Sequence, residues 1–307
     1  MRSKLKMSNL KAVFFFLFPS LAGILFFSMV PILTSLMLSL TQWNGLKKIN
    51  LFGGLSDFLK EEFIGAANFI NILAGEEFWR VLRNTCYFII LYIPLILIAS
   101  IIVATLLNTD IKGITGYRVL YYIPVLTSWV AGALIWKWVL SPEYGAVNDI
   151  LRLIGIEGPG WLQDKNWAMP GIVLASIWKD AGFFGLILLG GMQGINPTYY
   201  EAAEIDGARW WKRLTAITLP LLSPVTFFII IICIINSFQL FPQVMVMTAD
   251  AGPHGATQVI VERIYKYAFK YFKMGYAAAF SWILFAIIFF FTLIQMKLQE
   301  RWVHYDS

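Results

Sequence analysis

The chain has 307 residues, of which 59% are hydrophobic and 14% charged, with a formal net charge of +6. That balance excludes an ordinary soluble domain, in which about 25% of residues are charged, and fits a chain that crosses a membrane several times. The basic excess does not mark a nucleic-acid binder, because the lysines and arginines fall in short segments between apolar runs and none tracks a phosphate backbone.

The first segment, MRSKLKMSNLK, is basic and leads into an apolar run too long for a signal-peptide core and without an A-x-A site, so it reads as an uncleaved first span. Six stretches reach the roughly 20 apolar residues that a bilayer crossing needs: 12–40, 85–107, 119–140, 169–192, 214–241 and 276–296. An even number puts both termini on one side. The positive-inside rule makes that side cytoplasmic, grouping Arg2, Lys4, Lys6 and Lys11 with Lys112, Arg118, Arg209, Lys212, Arg213, Lys297 and Arg301. The opposite loops are mixed in charge: Lys47, Lys48, Lys60, Arg80 and Arg83 are matched by Asp57, Glu61, Glu62, Glu76 and Glu77. Lys60, Asp149 and His254 are expected outside. Prolines 19, 31, 94, 124, 220 and 224 predict kinked, mutually packed helices. Cys86 and Cys233 both lie in apolar runs, where a disulfide framework or a metal site has no basis, and no linker divides the chain, which reads as a single transmembrane domain over 1–307.

Polar residues inside the spans need an account of their own. Trp178-Lys179-Asp180 sits within the fourth stretch, where a charge costs about 2.5–3.5 kcal/mol on insertion scales unless it is paired or wet. Either this charge belongs to a pathway, or Lys179 reaches a carbonyl or carboxylate and fixes helix packing. In the fifth stretch Asn236, Ser237 and Gln239 stand beside Phe238 and Phe241, a mixture of amides and aromatic faces suited to sugar hydroxyls and ring faces; interhelical hydrogen bonding is the other reading. Trp136-Lys137-Trp138 reads as an interfacial belt with a snorkelling lysine. His254 and His304 have no ligand-spaced partners, so neither metal binding nor catalysis is expected of them.

Between the fourth and fifth stretches the chain reads EAAEIDGARWWKRLTAITLP, residues 201–220. Asn196-Pro197 is a helix start, with Asn as N-cap and Pro at the first helical position, and Gly207 is a left-handed stop. Ala202 and Ala203 let another protein's backbone approach this short helix, and Glu201, Glu204 and Asp206 offer it carboxylates. Trp210 and Trp211 suit an interface, with Arg209, Lys212 and Arg213 placed for lipid headgroups.

This block, with its Glu-Ala-Ala helix, glycine break and I-x-LP ending through Leu219 and Pro220, resembles the EAA loop, here residues 196–220, of the membrane subunits of binding-protein-dependent ABC importers. Leu214 departs from the phenylalanine common there. FIGAANFINIL with EFWRVLRNT (63–73 and 77–85), YGAVNDILRLIGI (144–156) and the run from VMTADAGPHGAT to YAFKYFKMGYAAAF (245–280) are similar to signatures of the maltose- and glycerol-phosphate-type carbohydrate permeases, with Asp250-Ala251 where that family often has glycine.

The resemblance implies an all-α membrane protein of six transmembrane helices, the type I importer permease fold, in a bacterial or archaeal cytoplasmic membrane. It is expected to be the translocation subunit of a carbohydrate importer, working with a second, homologous permease, two ATPase subunits and an extracytoplasmic solute-binding protein. It implies ATPase coupling by Glu201, Ala202, Ala203, Asp206, Gly207, Leu219 and Pro220. In maltose-type relatives the helices flanking the loop line the substrate path, which implies Ser176, Lys179, Asp180, Phe183, Asn236, Ser237 and Gln239 here. The chain has no G-x-x-x-x-G-K-[ST] loop, so no cofactor is expected on it and ATP and Mg belong to the partner ATPase. A secondary transporter would need coupling carboxylates in the membrane or inverted repeats; Asp180 alone is available, and no repeat is visible. A membrane enzyme would need a catalytic constellation of His, Asp or Glu near the interface, and none is visible.

Overall fold

The computed structural model describes residues 7–47 and 62–302; Arg2, Lys4, Lys6, Lys48, Asp57, Lys60, Glu61 and His304 lie outside them. The regular secondary structure of the described residues is helical, apart from one isolated antiparallel bridge between Thr41 and Phe63, with turns and irregular segments between the helices. The chain divides into two compact units, Met1–Ala74 with Ile264–Ile283 and Gly75–Arg263 with Leu284–Ser307.

In the first unit, α1 (Met7–Ile24) runs through a π turn, Leu25–Met29, into α2 (Val30–Ser39). The wide turn precedes Pro31, where one N–H is missing, so the chain continues with its axis intact. Val13–Ser39 is long and apolar enough to cross a membrane, and its phenylalanines point outward, Phe27 being 86% exposed, as lipid-facing side chains do. The end of α2 is fixed by Asn68 of α3 (Ala67–Ala74), whose amide donates to the carbonyls of Ser39 at 2.9 Å and Thr41 at 2.8 Å.

The second unit is built on α4 (Glu76–Leu107) and α8 (Ala168–Gln193), the two most extensively packed helices of the unit. Between them come α5 (Ile114–Leu126), α6 (Trp129–Val139) and α7 (Ala146–Leu153). The helix α4 begins nine residues before the stretch 85–107, because Glu76 and Glu77 favour a helix N-terminus and the polar first turns escape a hydropathy reading. Tyr92 meets Asp180 and Val103 lies over Gly185, so α4 and α8 run in the same direction. Glycines on α8 set the approach of its neighbours: a Cβ at Gly182 would run into the Tyr121 carbonyl on α5, and one at Gly185 would sit 2.7 Å from a Val103 methyl.

Two of the six expected spans are not single helices. The stretch 119–140 is the pair α5 and α6, bent by 97°. Pro124 weakens the first helix near its end, and Ser128 starts the second as an N-cap, its Oγ accepting from the Ala131 N–H at 3.2 Å. The stretch 214–241 begins earlier, at Trp210, passes through α10 (Trp210–Arg213), a π turn Leu214–Thr218 and α11 (Leu219–Leu221), then bends by 68° into α12 (Ser223–Phe238). The missing N–H of Pro224 permits the break at Leu222. The last long helix, α13, is Met274–Trp302.

Candidate functional site: a capped external helix and a buried polar seam

The helix α9 (Pro197–Ile205) leaves the C-terminal end of α8 through Asn196, whose Oδ1 accepts from both the N–H and the hydroxyl of Thr198 at 3.0 Å. Its other end is a Schellman motif: Ala208 N–H donates to the Ala203 carbonyl at 2.8 Å and Gly207 N–H to the Glu204 carbonyl at 3.0 Å. Gly207 holds φ +69° with open space around it, so the backbone angle, not crowding, selects glycine there. Both ends of the helix therefore stand where the sequence placed them.

Glu201, Ala202, Glu204, Asp206 and Gly207 are exposed, Ala203 is half-buried, and Ile205 is 87% exposed. The exposed face of the helix thus carries one apolar side chain beside small residues and carboxylates. Glu204 is not wholly available to one, because it is ion-paired with Arg213. Tyr200 makes a second link, its hydroxyl 2.9 Å from Thr218 Oγ1 in the π turn that enters α11. Through these two contacts the external helix is joined to the start of the next span, where Leu219 is half-buried and Pro220 exposed.

The polar residues of α8 form a seam. Lys179 is 6% exposed, and its Nζ donates to the carbonyls of Pro124 (3.1 Å), Val125 (3.0 Å) and Thr127 (2.6 Å), with the Trp129 ring centroid 5.4 Å away. These carbonyls lie at the break between α5 and α6, where the regular helical ladder ends; that of Pro124 also accepts from the Thr127 N–H at 3.2 Å and hydroxyl at 2.6 Å. Asp180 accepts from the Tyr92 hydroxyl at 2.7 Å. Ser176 is buried and bonds the Ile172 carbonyl. Ser237 is buried on α12, whereas Asn236, Gln239 and Phe183 are exposed. The seven residues thus separate by exposure into buried positions, namely Ser176, Lys179 and Ser237, and exposed positions, namely Phe183, Asn236 and Gln239, with Asp180 between the two sets.

Sequence reasoning missed three asparagine clamps, although each lies in one of the family-like stretches. Besides Asn68, Asn148 donates to the carbonyls of Pro142 and Pro159 while accepting from Trp161 Nε1 at 2.6 Å. Asn84 donates at 3.0 Å to the carbonyls of both Gly255 and Gln258. The loop that Asn84 holds is strained: Asp250, Ala251 and His254 take φ of +46°, +65° and +53°. Such angles carry no steric cost for glycine but do for Asp250, Ala251 and His254. Trp136 is half-buried, packs against the core and meets the Trp178 ring edge-on at 6.1 Å, while Lys137 and Trp138 are exposed.

Comparison with known proteins agrees with this architecture. The family of binding-protein-dependent transport system inner membrane components matches residues 67–304. A probable ABC transporter permease of Bacillus subtilis is 33% identical over 296 residues, 95% of this chain and 91% of its own. The trehalose/maltose transport system permease of Thermococcus litoralis is 32% identical over 298 residues, covering 96% of both chains. The lactose transport system permease of Rhizobium radiobacter is 32% identical over 285 residues, covering 91% of both. Among solved structures, a bacterial ABC transporter involved in the import of the acidic polysaccharide alginate superposes with a TM-score of 0.81 over 98% of this chain and 99% of that one, at 23% identity. With a family match over most of its length and the fold of an importer permease, the chain belongs to the binding-protein-dependent transport system inner membrane components and is a multi-pass permease subunit of an ABC transporter.

Proposed function

We propose that this subunit forms half of the translocation pathway of a carbohydrate importer, with a second, similar permease beside it, and that α9 docks on a cytoplasmic ATPase and transmits its closure to the membrane helices. The observation that carries the reading is the construction of α9: a helix capped at both ends, exposed on the face bearing Glu201 and Ala202, and linked through Tyr200 and Thr218 to the start of a span. The lactose and trehalose/maltose permeases among its relatives support a sugar as the cargo.

In this reading the end of the molecule bearing α9 is cytoplasmic, together with Lys112 and both termini, and the chain works as one permease domain with a solute-binding protein delivering substrate to the opposite face. The residues assigned to coupling are Glu201, Ala202, Ala203, Asp206, Gly207, Leu219 and Pro220. Phe183, Asn236 and Gln239 are the positions best placed to face a sugar, and Asp180 is next to them in exposure.

The test is reconstitution of the complex with its ATPase and binding protein in proteoliposomes. Hydrolysis stimulated by sugar-loaded binding protein, together with sugar uptake, is expected. Hydrolysis that no sugar stimulates, or uptake that continues without ATP, would overturn the reading.

A further inference from the structure

At the end of α4 and α8 away from α9, about 36 Å along α8 at 1.5 Å per residue, the structure holds a recess of about 360 Å³. Arg80, Arg83 and Lys165 line it, with Tyr87 beside them and His254 in the facing wall. Its lining contains no carboxylate. Of the acidic residues flanking it in sequence, Asp164 accepts from the N–H groups of Asn166 and Trp167 and Glu77 is ion-paired with Arg263 at 2.6 Å, while Glu76, one turn before Arg80, is exposed. Among the described residues neither arginine nor Lys165 has an ion-pair partner.

Arg80 and Arg83 are three residues apart on one helix, so their guanidinium groups share a face and repel each other, and Lys165 adds a third positive charge. Such a group is stabilised by an anion between its members. Its geometry is also held in place: Asn84, between the arginines, clamps the loop that forms the opposite wall through the Gly255 and Gln258 carbonyls. A preformed concavity of this size falls in the range of small-ligand sites, roughly 300–1,000 Å³. Guanidinium forks match a carboxylate in two parallel hydrogen bonds, and the half-exposed Tyr87 ring offers a face for a pyranose.

We propose that this recess is an anion subsite for the carboxylates of an acidic oligosaccharide, so that the cargo is a uronate-containing sugar that meets Arg80, Arg83 and Lys165 as it enters. The assignment rests on the importer reading, which places this end outside, and it adds the charge class of the substrate.

The experiment uses the assembled transporter in phosphatidylcholine nanodiscs without binding protein. The probes are fluorescent pentamers of galacturonate and of guluronate, with their carboxyl-reduced neutral counterparts. At least one acidic pentamer is expected to bind, with an affinity that falls as salt rises, and its neutral counterpart at least about tenfold more weakly. Arg83→Gln and Lys165→Gln are each expected to weaken binding about tenfold, the loss of one charge-assisted contact. If Arg83→Gln fails to assemble, Lys165→Gln, at an exposed turn, carries the same test.

Equal binding of neutral and acidic pentamers, binding of neither acid, or variants that bind as wild type does would overturn the proposal. Displacement of the pentamer by phosphatidylglycerol would reassign the site to a lipid headgroup, and variants that lose only affinity for the binding protein would reassign it to docking. These outcomes are separate from failure of the importer reading, which shows as the absence of sugar-stimulated hydrolysis with any cargo.

Discussion

Lys179 donates at 2.6 Å to the carbonyl of Thr127, 52 residues earlier, and the same ammonium bonds the carbonyls of Pro124 and Val125. One cation therefore bonds three carbonyls at the end of the helix that the 97° bend between α5 and α6 terminates. The expensive charge of the fourth span is offset by three carbonyls, of which that of Pro124 also accepts from the Thr127 N–H at 3.2 Å and hydroxyl at 2.6 Å.

Replacing Lys179 with leucine is expected to cost about 1–3 kcal/mol for each carbonyl that water does not reach. Thermal unfolding of the purified complex and the yield of assembled permease should both fall, whereas Lys179→Arg should recover part of the loss because it can still donate. Wild-type stability with uptake abolished in the leucine variant would place Lys179 in the pathway.

Two glycines of α8 make a comparison within one helix. A Cβ at Gly182 meets the Tyr121 carbonyl of α5, while at Gly190 nothing lies within 4 Å. Gly182→Ala is expected to destabilise by about 1–3 kcal/mol through overpacking. Gly190→Ala is expected to be neutral or to stabilise by about 0.4–1 kcal/mol, since alanine restricts the unfolded chain. Unfolding midpoints measured in one detergent decide between them, and equal midpoints would contradict the close approach of α5 and α8.

What the sequence made legible follows from interactions short in range. Asn196, Pro197 and Gly207 mark the ends of α9 because caps are local, and four of the candidate spans follow from long, predominantly apolar runs. Hydropathy does not register direction, so the two bent spans read as straight ones. The polar seam was legible as residue types but not as contacts: that Lys179 serves carbonyls on α5 and the α5–α6 break, and that Asp180 takes the Tyr92 hydroxyl, depends on pairings 52 to 55 and 88 residues apart. Arg80, Arg83 and Lys165 lie far apart or only loosely grouped along the chain, and it is the parallel course of α4 and α8 that brings them to one recess.

Sidedness has its own test. Single cysteines at Asp149 and His254 should react with an impermeant maleimide in intact cells, and cysteines at Lys112 and Trp210 only in inside-out vesicles. Exchange of the two patterns would reverse the orientation, and labelling of 112 and 210 from opposite sides would contradict the parallel course of α4 and α8, whose C-terminal ends lead to these two positions.

The final prediction concerns how movement of α9 reaches the membrane. If α9 works as a rigid lever, its stop and its link to α11 must each matter for coupling and neither for insertion. Gly207 sits at φ +69° in open space, so Gly207→Val brings backbone strain without a clash, about 1–2 kcal/mol, and Gly207→Asn should largely escape it because asparagine tolerates that angle. The Tyr200–Thr218 hydrogen bond can be removed from either side. Tyr200→Phe and Thr218→Val are each expected to lower sugar transported per ATP about fivefold, the equivalent of about 1 kcal/mol for a partly buried neutral bond. Both variants delete this bond and Thr218→Val also removes the one from Thr218 Oγ1 to the Arg213 carbonyl at 3.3 Å, so the double variant should be no worse than Thr218→Val alone. The readings are ATPase recovery on affinity purification of the permease and transport per ATP in proteoliposomes, with membrane insertion unchanged throughout. Additive losses in the double variant would show that the two side chains act separately, and normal coupling in both Gly207→Val and the double variant would remove α9 from the transmission path.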